Sequence, residues 1–282
     1  MSFSPFSDET VEQLAHVVLP DHTYLERYED ASAAPGLTRA VIGVRKPVVT
    51  PLHDTRATGD VILDIASRLG KSVAASMPWS SFRDAIDARF LGLHDANRGS
   101  VRASSERDFL AKLYEAAVWS DSAAPPPKSV KFNLPTTWQQ PDWRGDESAY
   151  PLRLVLYRAL GHSDGSGANQ AWLHQLRTRP GARPWEHVAL IHPSSAGGLV
   201  DGAVVTIASE WGQVEMPIQF ERRMVPGCVA ISLGRGHTAY GRFAKGVGVN
   251  ALVLAAPGPA PITGASVLCG TRVRLSSGGK NG

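Results

Sequence analysis

Six short β-rich runs crowd the second half of the chain, and they restrict the possible folds more than any other feature. They are Leu152–Tyr157, His187–Ile191, Ala203–Ala208, Gln213–Gln219, Cys228–Leu233 and Val267–Leu275. Glycine, proline and aspartate separate them, with Asp201-Gly202, Glu210-Trp211-Gly212-Gln213 and Val225-Pro226-Gly227 reading as turns. No 3.6-residue apolar period runs through this region. Strands so short and so closely spaced must bury their apolar faces against one another, which predicts a small barrel or sandwich.

The first half is built differently. Asp8 to Leu19 starts acidic and ends in an apolar triplet before Pro20, which suits a short helix running into a buried strand. Tyr24 to Asp30 is amphipathic. Ala40 to Val49 is β-branched, with Pro47 and Pro51 confining it to an edge or an extended segment. Thr58 is the expected N-cap of a helix whose apolar face is Val61, Ile62, Ile65, Ala66 and Leu69, with Gly70 as its stop. Two more helices are expected over 78–94 and 105–119. Pro125, Pro126 and Pro127 can neither continue a helix nor join a central strand. The expected organisation is an α/β portion over 1–124, a linker over 125–148, a β-barrel over 149–276 and a tail over 277–282.

Charge and cysteine content exclude several functions. The net charge is +3, but Lys and Arg are scattered and form no run, so no nucleic-acid partner is expected. Cys228 and Cys269 lie far apart in apolar stretches, without the spacing of an iron–sulfur or zinc site, and read as core residues. The longest apolar run, Val247 to Pro261, is broken by Gly, Asn and Pro and falls short of the roughly 20 residues that cross a bilayer. No direct membrane insertion is expected. The first ten residues carry no basic, apolar or twin-arginine signal. Gly161-His162-Ser163-Asp164-Gly165 has the residue types of a triad, but sequence neighbours on one loop do not assemble one.

One feature exceeds what strands and turns require. Gly234-Arg235-Gly236-His237 is followed by Tyr240-Gly241 and by Gly246-Val247-Gly248-Val249-Asn250. Glycines this dense let a backbone approach a ligand or another backbone closely. The order of strand, Asp-Gly turn, strand, Glu-x-Gly hairpin, strand ending in Pro217, Pro-Gly, then strand into Gly-x-Gly-His resembles the C-terminal molybdopterin-dinucleotide-binding domain of the dimethyl-sulfoxide-reductase superfamily. Asn169 with Trp172-Leu173 resembles the segment that follows the first barrel strand in that family. Asp8-Glu9-Thr10 and Leu19-Pro20-Asp21-His22-Thr23-Tyr24-Leu25-Glu26 resemble its α/β domain, and Pro47-Val48-Val49 with Asp54-Thr55-Arg56 resembles the segment closing that domain. The wording is most similar to the polysulfide-reductase group and the large subunit of alternative complex III.

The resemblance implies an α/β segment, the end of a Rossmann-like domain, followed by an all-β double-psi β-barrel. It implies molybdopterin guanine dinucleotide as cofactor, shared with domains outside this sequence. The expected cofactor-binding positions are Arg158, His162, Asn169, Gly234, Gly236, His237 and Asn250. Each also has a plainer reading: a strand-end hydrogen bond for His237, a tight turn for Asn250, a solvated loop for Arg158 and His162. Trp172 reads as a core anchor. No catalytic residue and no metal ligand is expected in this chain.

The resemblance begins at residue 2, inside a domain, and no cysteine motif or Ser, Cys or selenocysteine metal ligand stands in the matching context. The chain is then expected to cover one face of the cofactor. Partner subunits would carry the missing molybdopterin and iron–sulfur domains, with a membrane quinone-binding subunit beyond them. The alternative is a metal-free scaffold of the alternative-complex-III kind. The compartment follows the partner, on the periplasmic side of a membrane complex if that partner is exported and cytoplasmic otherwise.

Overall fold

The computed structural model describes residues 1–32, 37, 39–122, 131, 142–177, 181–259 and 264–278. The helices are α1 (Glu9–Leu14), α2 (Thr58–Leu69), α3 (Lys71–Ser76), α4 (Phe82–Asp95), α5 (Glu106–Ala116) and α6 (Ala171–His174). The strands are β1 (Glu29–Ser32), β2 (Ala40–Arg45), β3 (Val118–Asp121), β4 (Leu152–Tyr157), β5 (Ala189–Ile191), β6 (Val204–Ala208), β7 (Gln213–Phe220), β8 (Cys228–Ser232) and β9 (Cys269–Ser277). Two compact units result. One comprises Met1–Pro5 with Ala15–Leu134, the other Phe6–Leu14 with Pro135–Gly282, so α1 groups with the second half of the chain. Most of the stretch 125–148 lies outside the described residues. Its described end is tied to β9, where Arg144 N–H donates to Gly270 and Arg272 N–H donates to Arg144.

The first unit is a three-stranded antiparallel sheet, ordered β1-β2-β3, with helices against it. Ile86 and Phe90 of α4, Phe109, Leu113 and Tyr114 of α5, and Val44 and Trp119 of the sheet form its core. Serine caps decide where α4 and α5 begin. Ser81 Oγ accepts from Asp84 N–H and Ser105 Oγ from Asp108 N–H, satisfying donors a first turn leaves free. Helix α5 stops at Ala116 rather than running to 119. Ala117 turns left-handed at φ 60°, and the following residues pair with β2 as β3. Strand β2 is therefore central, not an edge, and Pro47 falls just beyond it.

Two further expectations give way to tertiary contacts. Thr58 is not the N-cap of α2; Ala57 holds that position, and the Asp21 carboxylate accepts the Thr58 N–H at 2.8 Å from 37 residues away. The buried side of α2 is Leu63 and Ala66, leaving Ile62, Ile65 and Leu69 exposed. Past α1 there is no buried strand: Val17 and Val18 are exposed, and Val18 makes a single bridge to Ser2.

In the second unit all six expected strands form, and they close into a barrel ordered β4-β8-β5-β7-β6-β9. β4 runs parallel to β8 and β5 parallel to β7, while the other neighbours are antiparallel. Parallel neighbours cannot be joined by a hairpin, so the chain must cross the ends of the barrel to connect them. This is the double-psi barrel. Alternate residues point inward: Leu154 and Leu156, Val205 and Ile207, Val214, Met216 and Ile218, Val229 and Ile231, and Val273 fill the interior. Each such side chain taken out of water contributes about 1.5–3 kcal/mol. The β6–β7 hairpin closes at Ser209, whose Oγ accepts from Trp211 and Gly212 N–H. Pro217 does not end β7; it pairs with Val204, and the strand continues to Phe220. Cys228 is half-buried and Cys269 exposed, both as free thiols rather than core residues. Among the described residues, no helix is long and apolar enough to cross a membrane.

Candidate functional site

Two connections of the barrel carry the expected positions. One follows β4 and the other follows β8, and they meet where Gly165 touches Gly234. A Cβ on Gly234, where φ is 85°, would stand 2.9 Å from Gly165 N and 3.2 Å from the His162 carbonyl oxygen. Only glycine permits that approach. The first connection winds through successive turns, with Ser163 N–H donating to Ala159, Gly165 N–H to His162 and Ala168 N–H to Gly165. The winding buries His162 to 2% exposure.

Gly236 is required by the protein itself. At φ 81° it lies against the backbone of 249–250, where a Cβ would meet Asn250 N at 2.0 Å and Val249 C at 2.1 Å. Asn169 Oδ1 accepts from Phe243 N–H at 3.1 Å, and its amide sits where a Cβ on Gly241 would be. Asn250 is a cap: its Oδ1 accepts from Leu252 N–H at 3.1 Å and starts a short 3-10 turn. Arg158 is exposed, near enough to Asp164 to help lower that carboxyl, after the Ser166 hydrogen bonds that dominate its shift. Trp172 is 67% exposed and anchors no core.

The histidines carry the site's electrostatics. His237 is gripped by Glu9 of α1. Its Nδ1 lies 3.2 Å from Glu9 Oε2, while Glu9 Oε1 accepts from Thr238 N–H at 2.5 Å and Ala239 N–H at 2.9 Å. Burial alone would raise the Glu9 carboxyl. The Ala239 N–H, His237 and the Thr238 N–H outweigh it and bring the pKa down to about 2. Phe6 meets Tyr240 edge-on at 5.3 Å, and Tyr240 N–H donates to the Ser7 carbonyl. Glu9 belongs to a motif that reads in sequence as part of the α/β portion, and no local signal ties it to residue 237.

His174, His187 and Arg235 complete the cluster. His174 Nε2 bonds the Ala168 carbonyl at 2.6 Å, so Nδ1 is left as an acceptor, and Arg235 Nη1 donates to it at 2.8 Å. Trp185 stacks flat on His174 at 4.1 Å, and His162 stands edge-on to it at 4.6 Å. His187 ties two segments together: Nε2 donates to the Ser232 carbonyl at 3.0 Å and Nδ1 accepts from Val249 N–H at 3.1 Å. It lies just ahead of β5 rather than inside it. Burial, then the Arg235 charge and the neighbouring imidazoles, push His162 down to about 4. Burial brings His187 to about 4 as well, against the Ser232 hydrogen bond. These imidazoles are neutral at ordinary pH, and among the described residues they assemble no metal site.

Two nitrogens in this region are buried without a hydrogen-bond partner among the described residues, His162 Nε2 and His237 Nε2. Buried polar atoms are nearly always satisfied, so such orphans point to a missing partner. Gly165 is the close neighbour of the second, since a Cβ there would stand 3.2 Å from His237 Nε2.

A closed six-stranded double-psi barrel with a glycine-rich connection after β8 defines a class, and sequence comparison agrees. Residues 152–269 match the family described as the molydopterin dinucleotide binding domain. Residues 152–269 thus match that domain family, and the chain as a whole is similar to the C-terminal part of molybdopterin oxidoreductases of the dimethyl-sulfoxide-reductase superfamily. It is 27% identical over 278 residues to the molybdopterin-binding-like subunit of menaquinone reductase from Nitratidesulfovibrio vulgaris, covering 98% of this chain and 37% of that protein. It is 25% identical over 266 residues to the dimethyl sulfoxide/trimethylamine N-oxide reductase of Cereibacter sphaeroides, covering 78% of this chain and 30% of that one. Acetylene hydratase from Pelobacter acetylenicus shares the fold, with a TM-score of 0.64 over 92% of this chain and 38% of its own, at 17% identity. The chain thus spans between 30% and 38% of the length of these relatives.

Proposed function

We propose that this chain supplies the dinucleotide-binding barrel of a molybdopterin subunit in a quinone-linked electron-transfer complex. The observation that carries the reading is the dinucleotide-binding family match falling on a barrel whose connections leave two buried imidazole nitrogens unsatisfied. The residues fit such a group in part. His162, His237 and the half-buried Arg235 offer hydrogen-bonding capacity that the chain does not use, while Gly236 and the side-chain oxygens of Asn169 and Asn250 are spent on its own backbone. The Asn169 and Asn250 amide nitrogens remain as donors toward a guanine or pterin edge.

When bound, the cofactor would supply the redox chemistry, and the chain would bind, orient and shield it. His237, fixed by Glu9, presents Nε2 inward. Arg235, hydrogen-bonded to His174, would face the negative charge of the bound group. Asn169 holds the 241–243 backbone against the first connection. In this reading the cofactor is the guanine dinucleotide form, shared with domains on a partner subunit that carries the metal ligand and iron–sulfur clusters, beside a membrane quinone-binding subunit. The compartment follows that partner.

A second reading is a scaffold that keeps the fold without the metal. It is favoured by the number of expected ligand positions already engaged with the protein's own backbone, and by the description of the menaquinone reductase relative as molybdopterin-binding-like. Purification of the chain with its native partners, followed by molybdenum analysis and pterin fluorescence after oxidation, separates the two. Molybdenum with pterin is the expected result. Iron–sulfur or haem partners without either would replace the first reading by the second.

A further inference from the structure

Residues 234–250 form no helix or strand of their own beyond a single bridge between His237 and Lys245, so hydrogen bonds to other segments hold their shape. The middle of this connection is tied by Glu9 to His237, Thr238 and Ala239, by the Tyr240 hydroxyl donating to the Ser166 carbonyl, and by Asn169 accepting from Phe243 N–H. The two ends are tied differently, each by an imidazole. Arg235 donates to His174 Nδ1 at 2.8 Å, and Val249 N–H donates to His187 Nδ1 at 3.1 Å. In both rings the other nitrogen is committed as a donor, His174 Nε2 to the Ala168 carbonyl at 2.6 Å and His187 Nε2 to the Ser232 carbonyl at 3.0 Å. Each bridge needs one ring nitrogen with a hydrogen and one without, which only the neutral ring provides. The two ends also touch, since Gly236 lies against the backbone of Val249 and Asn250, too close for a Cβ.

We propose that His174 and His187 form a proton-operated double latch on this connection. A proton on either Nδ1 turns an acceptor into a donor that faces a donor, breaks the tie and frees the 234–236 and 247–250 ends together. The surrounding charges favour release. Facing His174 are Arg235 and, edge-on at 4.6 Å, His162, while Trp185 stacks on the ring without charge. Arg235 and His162 are also the charged and titratable groups acting on His187. The acids of the neighbouring segments bond other groups: Glu9 the 237–239 stretch, Asp164 Ser166, and Glu186 the Arg183 N–H. Burial first, and also the Arg235 charge, hold both rings below the usual imidazole value, His187 at about 4, against the hydrogen bonds to Ala168 and Ser232. Each ring is therefore harder to protonate latched than free. Closure is complete above 6.5 and is lost as pH falls toward 4. The middle of the connection lacks this dependence, because Glu9 stays ionised down to about 2. The latch stands on these bonds and does not rest on the functional reading above.

The test is hydrogen exchange in the full chain, with any partner it carries, expressed as protection factors from pH 7.5 to 5. Protection of the Gly236 and Val249 amides should fall by about tenfold or more per pH unit below 6.5, while Thr238, Ala239 and the β6 residue Ile207 stay protected. A flat profile at Val249, or an equal fall at Ile207, would overturn the latch, the second because the whole barrel would then be opening. Ring-nitrogen NMR at pH 7.5 should show both imidazoles neutral with the hydrogen on Nε2. An imidazolium, or an Nδ1–H tautomer, at either position also overturns it. His187→Gln removes a titrating ring and should abolish at least a tenfold part of the Val249 loss between pH 6.5 and 5, whereas His53→Gln, at an exposed histidine of the other unit, should keep the wild-type profile. An unchanged loss in His187→Gln assigns the effect to another group and counts against the latch. Should that variant fail to fold, the wild-type exchange profile and the ring tautomers decide alone.

Discussion

His162 and His237 each bury an Nε2 atom that meets no partner among the described residues, yet the protein holds them by opposite means. His237 has a carboxylate at its back: Glu9 accepts from its ring and from two backbone N–H groups, fixing which nitrogen faces inward. Among the described residues His162 meets no carboxylate at Nε2. It sits edge-on to His174 in the field of Arg235, where burial and like charge keep it unprotonated. One imidazole is oriented by an anion from the start of the chain, the other is kept neutral by burial and then by a cation from the glycine-rich connection. Tight backbone contact at Gly165 and Gly234 brings the two connections together. The same residue type is thus given two electrostatic roles, and sequence position alone shows neither.

The largest expected effect comes from breaking the backbone frame that both imidazoles depend on. Gly236→Ala drives a Cβ into Asn250 N and Val249 C at a positive φ, and should cost about 4 kcal/mol in urea unfolding through combined overpacking and backbone strain. Gly246→Ala, also at positive φ but with nothing within 4 Å, should cost only about 1–2 kcal/mol. Equal costs would mean that strain alone, and not the close approach, makes these glycines necessary.

The next effect separates the two histidine environments by pH. His162 falls from 6.5 to about 4 on folding. The unfolded chain therefore binds more protons between those values, and stability is lost as pH falls through 6.5 toward 4. A shift of this size corresponds to about 3 kcal/mol at full titration. His187 adds to the slope in the same window. Glu9 acts lower, since its depressed carboxyl stabilises the fold above 4.5 and loses that contribution only as pH falls toward 2. Unfolding midpoints measured from pH 7.5 to 4 should fall, and His162→Phe should flatten the curve. An unchanged slope in that variant would show that His162 titrates normally.

The smallest of the three effects tests the Glu9 grip. Glu9→Gln keeps one carbonyl oxygen but loses the charge-assisted bonds, at a cost of roughly 2 kcal/mol. Hydrogen exchange at the Thr238 and Ala239 amides should quicken while the barrel strands stay protected. Unchanged exchange at those two amides would mean that the helix from residue 9 does not hold the loop.

The barrel was legible in the sequence because its signal is local. Each strand carries its own alternation, as in Val214, Met216 and Ile218, and each turn its own residue, as in Asp201-Gly202. The family resemblance was legible for the same reason, being carried by short motifs in a fixed order. Where expectation failed, a distant partner won: Asp21 took the capping role from Thr58, and Ala117 turned left-handed so that Val118 to Asp121 joined a sheet.

The candidate site divides along the same line. Periodicity, turn chemistry and glycine content by themselves determined which segments become the barrel strands, where the barrel turns and that the connection after β8 is unusual. Only the tertiary structure decided that Glu9 orients His237 from 228 residues away, that Asn250 caps a turn, and that Arg235 donates to His174. Hydrogen-bond pairing and desolvation depend on which groups meet in space. A local pattern of residues does not encode those meetings until the barrel has closed and its connections have been pressed together.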